Sequence, residues 1–446
     1  MITAAALSDL VRDQPSPARM PDAELLTRYA EQGSPHGPPV CLSFGETWNR
    51  APAALTELLT TVPPHAHGYQ LSLYGLGRLR QALRDHLVQT QGLDPAAADW
   101  EVAVGWTGTR SAMFDFGRLL VDRLARHQPD PAGRRPVVLV AGPSWDYAGV
   151  FEPLGLAVRY LPLRPEHGFA PRLVDLAGAL HRLAGDGERL ALLVVNAQHN
   201  PTAVNWSPDL VTAMAVTAVR AGAALLVDDA YAQVYDEGTT ATPALDLVVR
   251  ALRAEGAVDR LPWLGVRSLG KQFGCNGWGV GVLTAHPALL RELVEGYRLH
   301  HGLMHAGPLQ YAMAEWLTDP ASTDFLATQR KVLAETRAAA AGAFRTRLGY
   351  PAEAVHPGSC TPYLLVRLPP AYAALADGEH RFRADCFAAT GVLLAPAWPW
   401  PFPAPDSGAT PLPYLRVYLG PVVEPVLAAV ERMAAAGLGY RAEPAG

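Results

Sequence analysis

The feature that most constrains the fold of this chain is a series of short apolar segments, each followed at once by polar or glycine residues. Five of these segments alternate with helix-like stretches, and they are 137–141, 192–196, 225–228, 264–268 and 280–283. Strands that are apolar on both faces are typical of a parallel sheet covered by helices. We therefore expect an α/β fold whose large domain is a mostly parallel sheet between helices.

Three regions can be distinguished along the chain. Residues 1–60 are irregular and proline-rich, and we expect them to form an N-terminal arm and part of a small domain. Residues 61–315 contain the alternating segments and are predicted to form the large domain. Residues 316–446, in which a long helical stretch at about 323–348 leads into shorter units, are predicted to form a smaller α+β domain.

The shorter units of the C-terminal region are expected to include strands at 363–367, 392–395 and 415–419. Residues 396–413 are rich in proline and tryptophan and show no hydrophobic periodicity. This composition predicts a surface loop that contains Trp398 and Trp400.

Composition and charge argue against several classes of protein. The 37 basic and 42 acidic side chains give a formal charge of −5, which argues against a nucleic acid as the main partner. The longest apolar runs, such as 190–195, are far shorter than the roughly 20 residues that cross a bilayer. The first ten residues contain Asp9 and no basic residue, so we expect no signal peptide. The four cysteines are scattered, which predicts reduced thiols in a cytoplasmic protein.

Lysine is rare in this sequence, because Lys271 and Lys331 are the only two in 446 residues. Any chemistry that needs a primary amine therefore has two candidates. Lys271 lies between a buried strand and a glycine-rich turn, which favours a functional amine over a solvated surface side chain. Lys331 lies on a polar helical stretch and is expected to be a surface residue.

Polar and aromatic side chains follow the predicted strands. Ligands of an open parallel sheet bind beyond the carboxyl ends of its strands, so these positions are where chemistry is expected. The motifs found there are Ala-Gly-Pro-Ser-Trp at 141–145, Asn-Ala-Gln-His-Asn-Pro-Thr at 196–202, Asp-Asp-Ala-Tyr at 228–231 and Ser-Leu-Gly-Lys at 268–271. The turn Gly-Thr-Arg at 108–110 opens a helix and presents backbone N–H groups suited to an anion.

Together, and in this order, these motifs resemble those of the fold-type I pyridoxal-phosphate enzymes, in particular the class I/II aminotransferases. The resemblance runs from Gly45 to Arg416. It implies an aspartate aminotransferase-like fold, pyridoxal 5'-phosphate as the cofactor and an α-amino acid as the substrate. It also implies that Lys271 forms a Schiff base with the cofactor and that the reaction passes through a quinonoid carbanion.

The resemblance implies how the cofactor ring is held. Asp228 would lie against the pyridine nitrogen and keep it protonated, which makes the ring an electron sink, whereas Asp229 would point away. Asn200 and Tyr231 would hydrogen-bond the phenolic oxygen of the cofactor. Trp145 would stack on the ring.

It also implies how the phosphate and the substrate are bound. Gly108, Thr109 and Ser268 would bind the phosphate through N–H and hydroxyl groups. Arg416, in the motif Tyr-Leu-Arg-Val-Tyr, would bind the substrate carboxylate, which suits its planar guanidinium. Gly45 would let the N-terminal arm approach the substrate.

A shared active site follows from two further matches. Tyr69 resembles the tyrosine that reaches the phosphate of the neighbouring subunit, although the segment between Tyr69 and Gly75 is one residue longer than in the family. Residues 300–308 match a segment that approaches the same phosphate, so His300, His301 or His305 is expected to contact the substrate or the partner subunit. The protein is therefore expected to be an obligate homodimer.

The sequence departs from the family at two positions. The arginine that usually clamps the phosphate, eight residues after the Schiff-base lysine, is replaced by Gly279. We expect another cation to take its place, with Arg110 as the first candidate and Arg267 as the second. Ala203 stands where glycine is common after Asn-Pro-Thr, and we expect this change to be mild.

No metal site is expected from the histidines. The pair His65 and His67, and the group His300, His301 and His305, have no carboxylate or cysteine at a matching interval. Histidine pairs in loops are usually solvated or capping residues, so the pattern does not predict a metal centre.

Three functions remain open. Transamination of an α-amino acid is expected, and the missing arginine and the Trp398–Trp400 segment favour a specialised biosynthetic enzyme. The same residues could serve β- or γ-elimination or replacement, cyclisation or oxidation, since fold does not determine reaction type. A non-catalytic ligand-binding regulator is a third possibility, although the chain shows no N-terminal helix-turn-helix unit.

Overall fold

The computed structural model of the protein describes residues 21–43, 51–127, 130, 132–302, 305–398, 402–420 and 422–444. Gly45 and Trp400 therefore lie outside the described residues.

The described α-helices are α1 (Pro21–Glu31), α2 (Ala53–Glu57), α3 (Gly77–Gln91), α4 (Gly108–His127), α5 (Ala148–Phe151), α6 (Leu173–Gly185), α7 (Pro208–Arg220), α8 (Ala244–Ala254), α9 (Leu269–Phe273), α10 (Pro287–Gly296), α11 (Gly307–Thr318), α12 (Pro320–Thr346), α13 (Pro370–Ala373), α14 (Gly378–Thr390) and α15 (Val423–Ala435). Short 3₁₀ helices lie at Leu58–Thr61, Pro64–His67, Glu152–Leu154, Pro165–His167, Asn276–Trp278, Arg298–His300, Ala352–Ala354 and Pro405–Ser407.

A seven-stranded sheet lies at the centre of the large part of the molecule. Its strands are β2 (Glu101–Gly105), β3 (Arg135–Gly142), β4 (Ala157–Pro162), β5 (Glu188–Val195), β6 (Ala224–Asp228), β7 (Trp263–Ser268) and β8 (Gly281–Ala285). They lie in the order β2-β8-β7-β6-β5-β3-β4. β8 runs antiparallel to both of its neighbours, β2 and β7, and the other six strands of this sheet run in the same direction as one another. Helices pack against the sheet. The expected mostly parallel sheet flanked by helices is thus confirmed.

Two strands of this sheet, β2 and β4, are not predicted by the apolar segments. Both are edge strands. On β4, Arg159 interrupts the apolar pattern, and its Nε donates to Glu188 of β5, the strand beyond β3, at 2.9 Å. Edge strands need not be apolar on both faces, which is why β4 does not stand out as an apolar run. The apolar part of β2, at 102–104, is buried but only three residues long.

A smaller antiparallel sheet lies in the C-terminal part, in the strand order β12-β13-β10-β9. Its strands are β9 (Val355–His356), β10 (Tyr363–Arg367), β12 (Ala395–Pro396) and β13 (Tyr414–Tyr418). The single strand expected at 392–395 is instead two short strands. The first, β11 (Val392–Leu393), pairs in parallel with β1 (Val40–Cys41), so the N-terminal region joins the C-terminal part through backbone hydrogen bonds.

The segment 396–413 is not simply a surface loop, contrary to the prediction. Trp398 is only 3% exposed, and its Nε1 donates to the carbonyl of Thr410 at 3.2 Å. Its ring packs edge-to-face on Tyr160 of β4, with 5.1 Å between the ring centres. A loop buries single side chains without periodicity, so the sequence pattern gives no sign of this contact.

Two hydrophobic cores account for most of the buried side chains. One surrounds the seven-stranded sheet, and the other lies between the small sheet, α12 and α15. Among the described helices, none combines the length and the apolar character needed to cross a membrane.

Candidate active site

A cavity of about 530 Å³ lies where the strands of the large sheet end. Ser144 follows β3, Asn196 follows β5, and Asp228 and Ser268 end β6 and β7; all four line the cavity. Gly108, the first residue of α4, lines it as well. The cavity therefore lies at the carboxyl edge of the sheet, which is where ligands of open parallel sheets bind.

The opposite wall comes from the N-terminal region and the C-terminal part. The residues that form it are Asp22, Ser43, Tyr363, Arg383, Ala395, Pro396, Ala397, Trp398 and Arg416. Two hydrophobic cores thus meet at one cavity.

Lys271 lies in the cavity wall, on the short helix α9 directly after β7. The Ser268 hydroxyl caps this helix by accepting the Lys271 backbone N–H at 3.3 Å. The Lys271 Nζ lies 4.9 Å from the centre of the Tyr231 ring. Lys331 is exposed on α12. Of the two lysines, the structure brings Lys271 to the cavity.

Asp228 is buried and accepts hydrogen bonds on both carboxylate oxygens. Oδ2 accepts from the Tyr147 hydroxyl at 2.6 Å, and Oδ1 accepts from the Ala230 N–H at 3.2 Å. The Asn196 side chain donates to the backbone carbonyl of Asp228 at 2.7 Å. Burial raises the pKa of Asp228 to about 6, and the hydrogen bond from Tyr147 opposes this rise.

Asp229 does not line the cavity. Its Oδ2 lies 2.6 Å from Nη2 of Arg267 and accepts from Gln91 at 2.9 Å. Arg267 is 2% exposed and also donates to the Thr90 hydroxyl at 2.9 Å. Arg267 is therefore not the cation that replaces the missing arginine, because it lies outside the cavity and its charge is balanced by Asp229.

Arg110, the first candidate for that cation, does line the cavity. Its guanidinium lies 2.8 Å from Oδ2 of Asp146 and 4.5 Å from the centre of the Trp145 ring. The side chain is 50% exposed. Thr109 lies beside it in the first turn of α4, whose free N–H groups and helix dipole favour an anion.

Gly279 lies against this first turn of α4. Its carbonyl accepts the Gly108 N–H at 2.9 Å. It has φ +66°, and a Cβ at this position would lie 3.0 Å from the Trp106 carbonyl oxygen. An arginine here would require a backbone conformation that residues with a side chain rarely adopt, and it would crowd the loop before α4.

Arg416 of β13 contacts residues from three parts of the chain. Nη1 donates to Oδ1 of Asn200 at 3.0 Å, and Nη2 donates to the Ser43 carbonyl at 3.0 Å. Its guanidinium lies 4.3 Å from the centre of the Tyr363 ring, and the hydroxyls of Tyr363 and Tyr231 are 2.6 Å apart. Nε is buried and has no partner among the described residues.

Four of the residues singled out from the sequence lie away from the cavity of their own chain. Tyr69 is 67% exposed, and His300 and His305 are exposed as well. His301 Nε2 lies 2.7 Å from Oδ1 of Asp115. Within the described ranges, no group of three or more His, Cys, Asp or Glu residues could hold a metal ion.

Four residues at or beside the cavity do not belong to the sequence motifs, and they are Tyr147, Tyr363, Asp22 and Arg383. Tyr147 could have been found, because it is two residues after Trp145 in a loop that follows a predicted strand. Asp22 and Arg383 lie on helices α1 and α14, for which no sequence signal indicated a position near the large sheet.

The sequence and the fold can be compared with those of known proteins. Residues 117–396, more than half of the chain, match the family described as aminotransferase class I and II. The chain belongs to this family. Its cofactor is pyridoxal 5'-phosphate, on which aminotransferases of this family depend.

Curated relatives match over part of their length. Capreomycidine synthase of Streptomyces vinaceus is 34% identical over 159 residues, which is 35% of this chain and 36% of that protein. The probable aspartate/prephenate aminotransferase of Thermus aquaticus is 24% identical over 222 residues, half of each protein. The chain thus spans between a third and a half of the length of these relatives.

Solved structures match over nearly the whole chain. A double mutant of Thermus thermophilus aspartate aminotransferase has a TM-score of 0.71 at 22% identity and covers 96% of this chain and 98% of its own. Substrate-bound BacF from Bacillus subtilis has a TM-score of 0.74 at 17% identity, and the match covers 97% of this chain and 98% of the BacF chain. These likenesses confirm the aspartate aminotransferase-like fold.

The residues of the cavity fit the cofactor. Its aldehyde needs an amine, which Lys271 would provide, and its pyridine nitrogen needs a carboxylate that keeps it protonated, which the buried Asp228 would provide. Its phosphate needs donors, which the first turn of α4 and Arg110 would provide. All three groups line one cavity.

Proposed function

We propose that this protein transfers the amino group of an α-amino acid in a specialised biosynthetic reaction. The observation that carries the proposal is a single cavity lined by an amine, a buried carboxylate and an arginine fork, from Lys271, Asp228 and Arg416. The amine and the carboxylate match the cofactor, and the guanidinium matches the carboxylate of an amino acid.

In this proposal each residue has one task in holding the cofactor. Lys271 Nζ binds it covalently, and Asp228 holds the proton on its ring nitrogen. Thr109, Arg110 and Ser268 bind the phosphate, together with the N–H groups at the start of α4. The partner of Gly108 N–H is the Gly279 carbonyl, so the remaining N–H groups of this turn carry the larger part of that contact.

Further residues orient the ring and the substrate. Trp145 packs on the cofactor ring, and Asn200 and Tyr231 bind its phenolic oxygen. Arg416 binds the substrate carboxylate and so fixes the position of the α-carbon. When bound, pyridoxal phosphate supplies the electron sink for the bond that breaks at this carbon. Lys271 Nζ would take the α-proton and, in transamination, deliver it to the cofactor carbon that carried the aldehyde, so that the amino group stays with the cofactor and a keto acid leaves.

A lyase- or synthase-type reaction is the second candidate. The observation that favours it is the 34% identity, over 159 residues, to a protein named capreomycidine synthase. Elimination, replacement and cyclisation begin with the same loss of the α-proton, so Lys271, Asp228 and Arg416 serve them equally.

The arrangement of the whole protein is proposed on the same basis. We propose a homodimer with shared active sites, to which the exposed Tyr69 contributes. We also propose that residues 61–315 form a large domain and that residues 316–446, together with part of residues 1–60, form a small domain. The four cysteines are buried thiols that form no disulfide bonds, which supports a reducing compartment such as the cytoplasm.

The covalent attachment can be tested directly. The purified protein with pyridoxal phosphate should absorb visible light and lose this absorbance on borohydride treatment. The cofactor should then be permanently attached, as a label, to the peptide that contains Lys271. Lys271→Ala should remain unlabelled and inactive, whereas Lys331→Ala, which removes the other lysine, should behave as wild type. A protein that stays colourless with added cofactor would refute both enzyme proposals and favour a ligand-binding regulator.

A panel of amino acids then separates the two reaction types. Accumulation of the amine form of the cofactor, with release of a keto acid, supports transamination. Release of ammonia or of a leaving group without that form supports the lyase- or synthase-type reaction.

A further inference from the structure

A second arginine lines the cavity, and it is already paired with a carboxylate. Arg383 of α14 forms an ion pair with Asp22 of α1, and both residues line the cavity. The side chains are 3% and 18% exposed. Arg383 Nε also donates to the Leu394 carbonyl at 2.6 Å, so the guanidinium is held from two sides.

Ser43 connects this ion pair to Arg416. Its hydroxyl donates to Oδ2 of Asp22 at 2.6 Å, and its carbonyl accepts from Nη2 of Arg416 at 3.0 Å. Burial lowers the pKa of Arg383, the ion pair with Asp22 opposes this, and the positive charge of Arg416 also lowers it. The two guanidinium groups therefore interact across the same end of the cavity.

The charges at this end of the cavity nearly balance without a substrate. Arg383 and Arg416 contribute two positive charges and Asp22 contributes one negative charge. Glu379 also lies near Arg383, but burial raises the pKa of its carboxyl to about 8, which favours the uncharged form at neutral pH. The neighbouring Asn200, Ser43 and Tyr363 are uncharged. A substrate with one carboxylate neutralises the remaining charge. A substrate with a second carboxylate has to displace Asp22 from Arg383, and Asp22 repels it.

We propose that Asp22 is a specificity-determining residue, which restricts the site to amino acids with a single carboxylate because it occupies Arg383. This inference rests on the proposed function, since it takes Arg416 as the residue that binds the substrate carboxylate. Removal of the negative charge at position 22 leaves Arg383 available for a distal carboxylate.

The test compares two unreactive acids, butyrate and succinate, which differ in the second carboxylate. Their dissociation constants are measured on the holoenzyme by calorimetry. Wild type should bind succinate no more tightly than butyrate, and Asp22→Asn should shift the ratio at least tenfold towards succinate. Glu24→Gln removes an acid of the same helix that pairs with Arg28 at the surface, and it should leave the ratio unchanged. The ratio of kcat/KM for glutamate over 2-aminobutyrate should shift in the same direction.

Because Asp22→Asn leaves a buried arginine without its anion, two further measurements accompany it. Succinate should raise the Tm of this variant more than that of wild type, since the ligand replaces the lost charge. The double variant Asp22→Asn/Arg383→Gln removes both charges and should return the binding ratio to that of wild type. If Asp22→Asn does not fold, the wild-type ratio still tests the inference, because a wild type that prefers succinate would overturn it.

Three results would overturn the inference. The first is a wild type that binds succinate tenfold more tightly than butyrate. The second is a folded Asp22→Asn in which the ratio of the two dissociation constants does not change. The third is a loss of kcat/KM in that variant that is confined to amino acids with cationic side chains. The last result would make Asp22 a binding site for a cation instead. A protein that does not bind the cofactor at Lys271 would refute the proposed function, whereas an unchanged ratio in an active holoenzyme refutes only this inference.

Discussion

The hydroxyl of Tyr147 donates a 2.6 Å hydrogen bond to Oδ2 of Asp228, the buried carboxylate that ends β6. Tyr147 is 1% exposed, and its ring packs edge-to-face on Trp145 with 5.3 Å between the centres. Burial favours the protonated form of Asp228, and this hydrogen bond favours the ionised form. Tyr147 therefore helps to keep a negative charge in the cavity near neutral pH.

The first prediction concerns this hydrogen bond. Tyr147→Phe should raise the pKa of Asp228 above its value of about 6, because a hydrogen bond to a charged group is worth about 1.5–3 kcal/mol. In the cofactor-free protein, the titration profile of the Asp228 carboxyl, followed by NMR, should move upward by about one to two pH units. Tyr350→Phe is the matched control, since the buried Tyr350 hydroxyl has no hydrogen-bond partner among the described residues. An unshifted profile in Tyr147→Phe would show that the hydroxyl does not act on Asp228.

The second prediction concerns the stability of the protein without cofactor. Between about pH 4 and pH 6 the folded state holds a proton on Asp228 that the unfolded state has lost, so the contribution of this group to stability falls as the pH rises through that window. Asp228→Asn removes the buried charge. At pH 8 the cofactor-free variant should be more stable than wild type by about 1–3 kcal/mol, and below pH 4 the difference should vanish. Urea unfolding at both pH values measures this, while activity should fall steeply.

The large sheet and the motifs at its edge could be predicted because both follow from short-range patterns. Asp228 ends one apolar segment and Lys271 lies three residues beyond the end of the next, and the pairing of β6 with β7 brings the ends of those segments together. Chain order and the geometry of parallel strands are sufficient for that prediction.

The other wall of the cavity could not be predicted in this way. Asp22 and Arg383 are 361 residues apart, and neither lies in a periodic pattern that indicates its neighbours. Local backbone strain is equally hidden: Ala203, where a mild change was expected, is buried with φ +60°. This left-handed conformation costs an alanine roughly 1–2 kcal/mol. Such features depend on tertiary contacts that composition and spacing do not encode.

The third prediction concerns the phosphate. Arg110→Ala should weaken the binding of pyridoxal phosphate about three- to tenfold, because it removes a cation at the first turn of α4 that is half exposed and already paired with Asp146. The exposed Arg118 lies on the same helix, and Arg118→Ala should leave the affinity unchanged. Equilibrium dialysis of the cofactor measures both. Equal affinity in Arg110→Ala and wild type would exclude Arg110 as the replacement for the missing arginine.

The fourth prediction concerns the position where the family has its arginine. Gly279→Arg should not improve cofactor binding and should lower the free energy of unfolding by about 1–3 kcal/mol, because φ is +66° and a Cβ would lie 3.0 Å from the Trp106 carbonyl oxygen. Gly277 is exposed, has no positive φ and has no atom within 4 Å of a Cβ, so Gly277→Arg should be tolerated. Urea unfolding of the two variants gives the comparison, and equal stabilities would contradict it.

The fifth prediction concerns the homodimer. Leu71 is 94% exposed and lies two residues from Tyr69, which is 67% exposed. Exposed apolar groups this close together are typical of a surface that another molecule covers. Leu71→Arg should therefore convert a dimer into a monomer in analytical ultracentrifugation. It should also weaken cofactor binding, since Tyr69 of the partner subunit would no longer reach the phosphate. Val174 of α6 is 66% exposed, and Val174→Arg should remain dimeric; a dimeric Leu71→Arg with unchanged cofactor affinity would place the interface elsewhere.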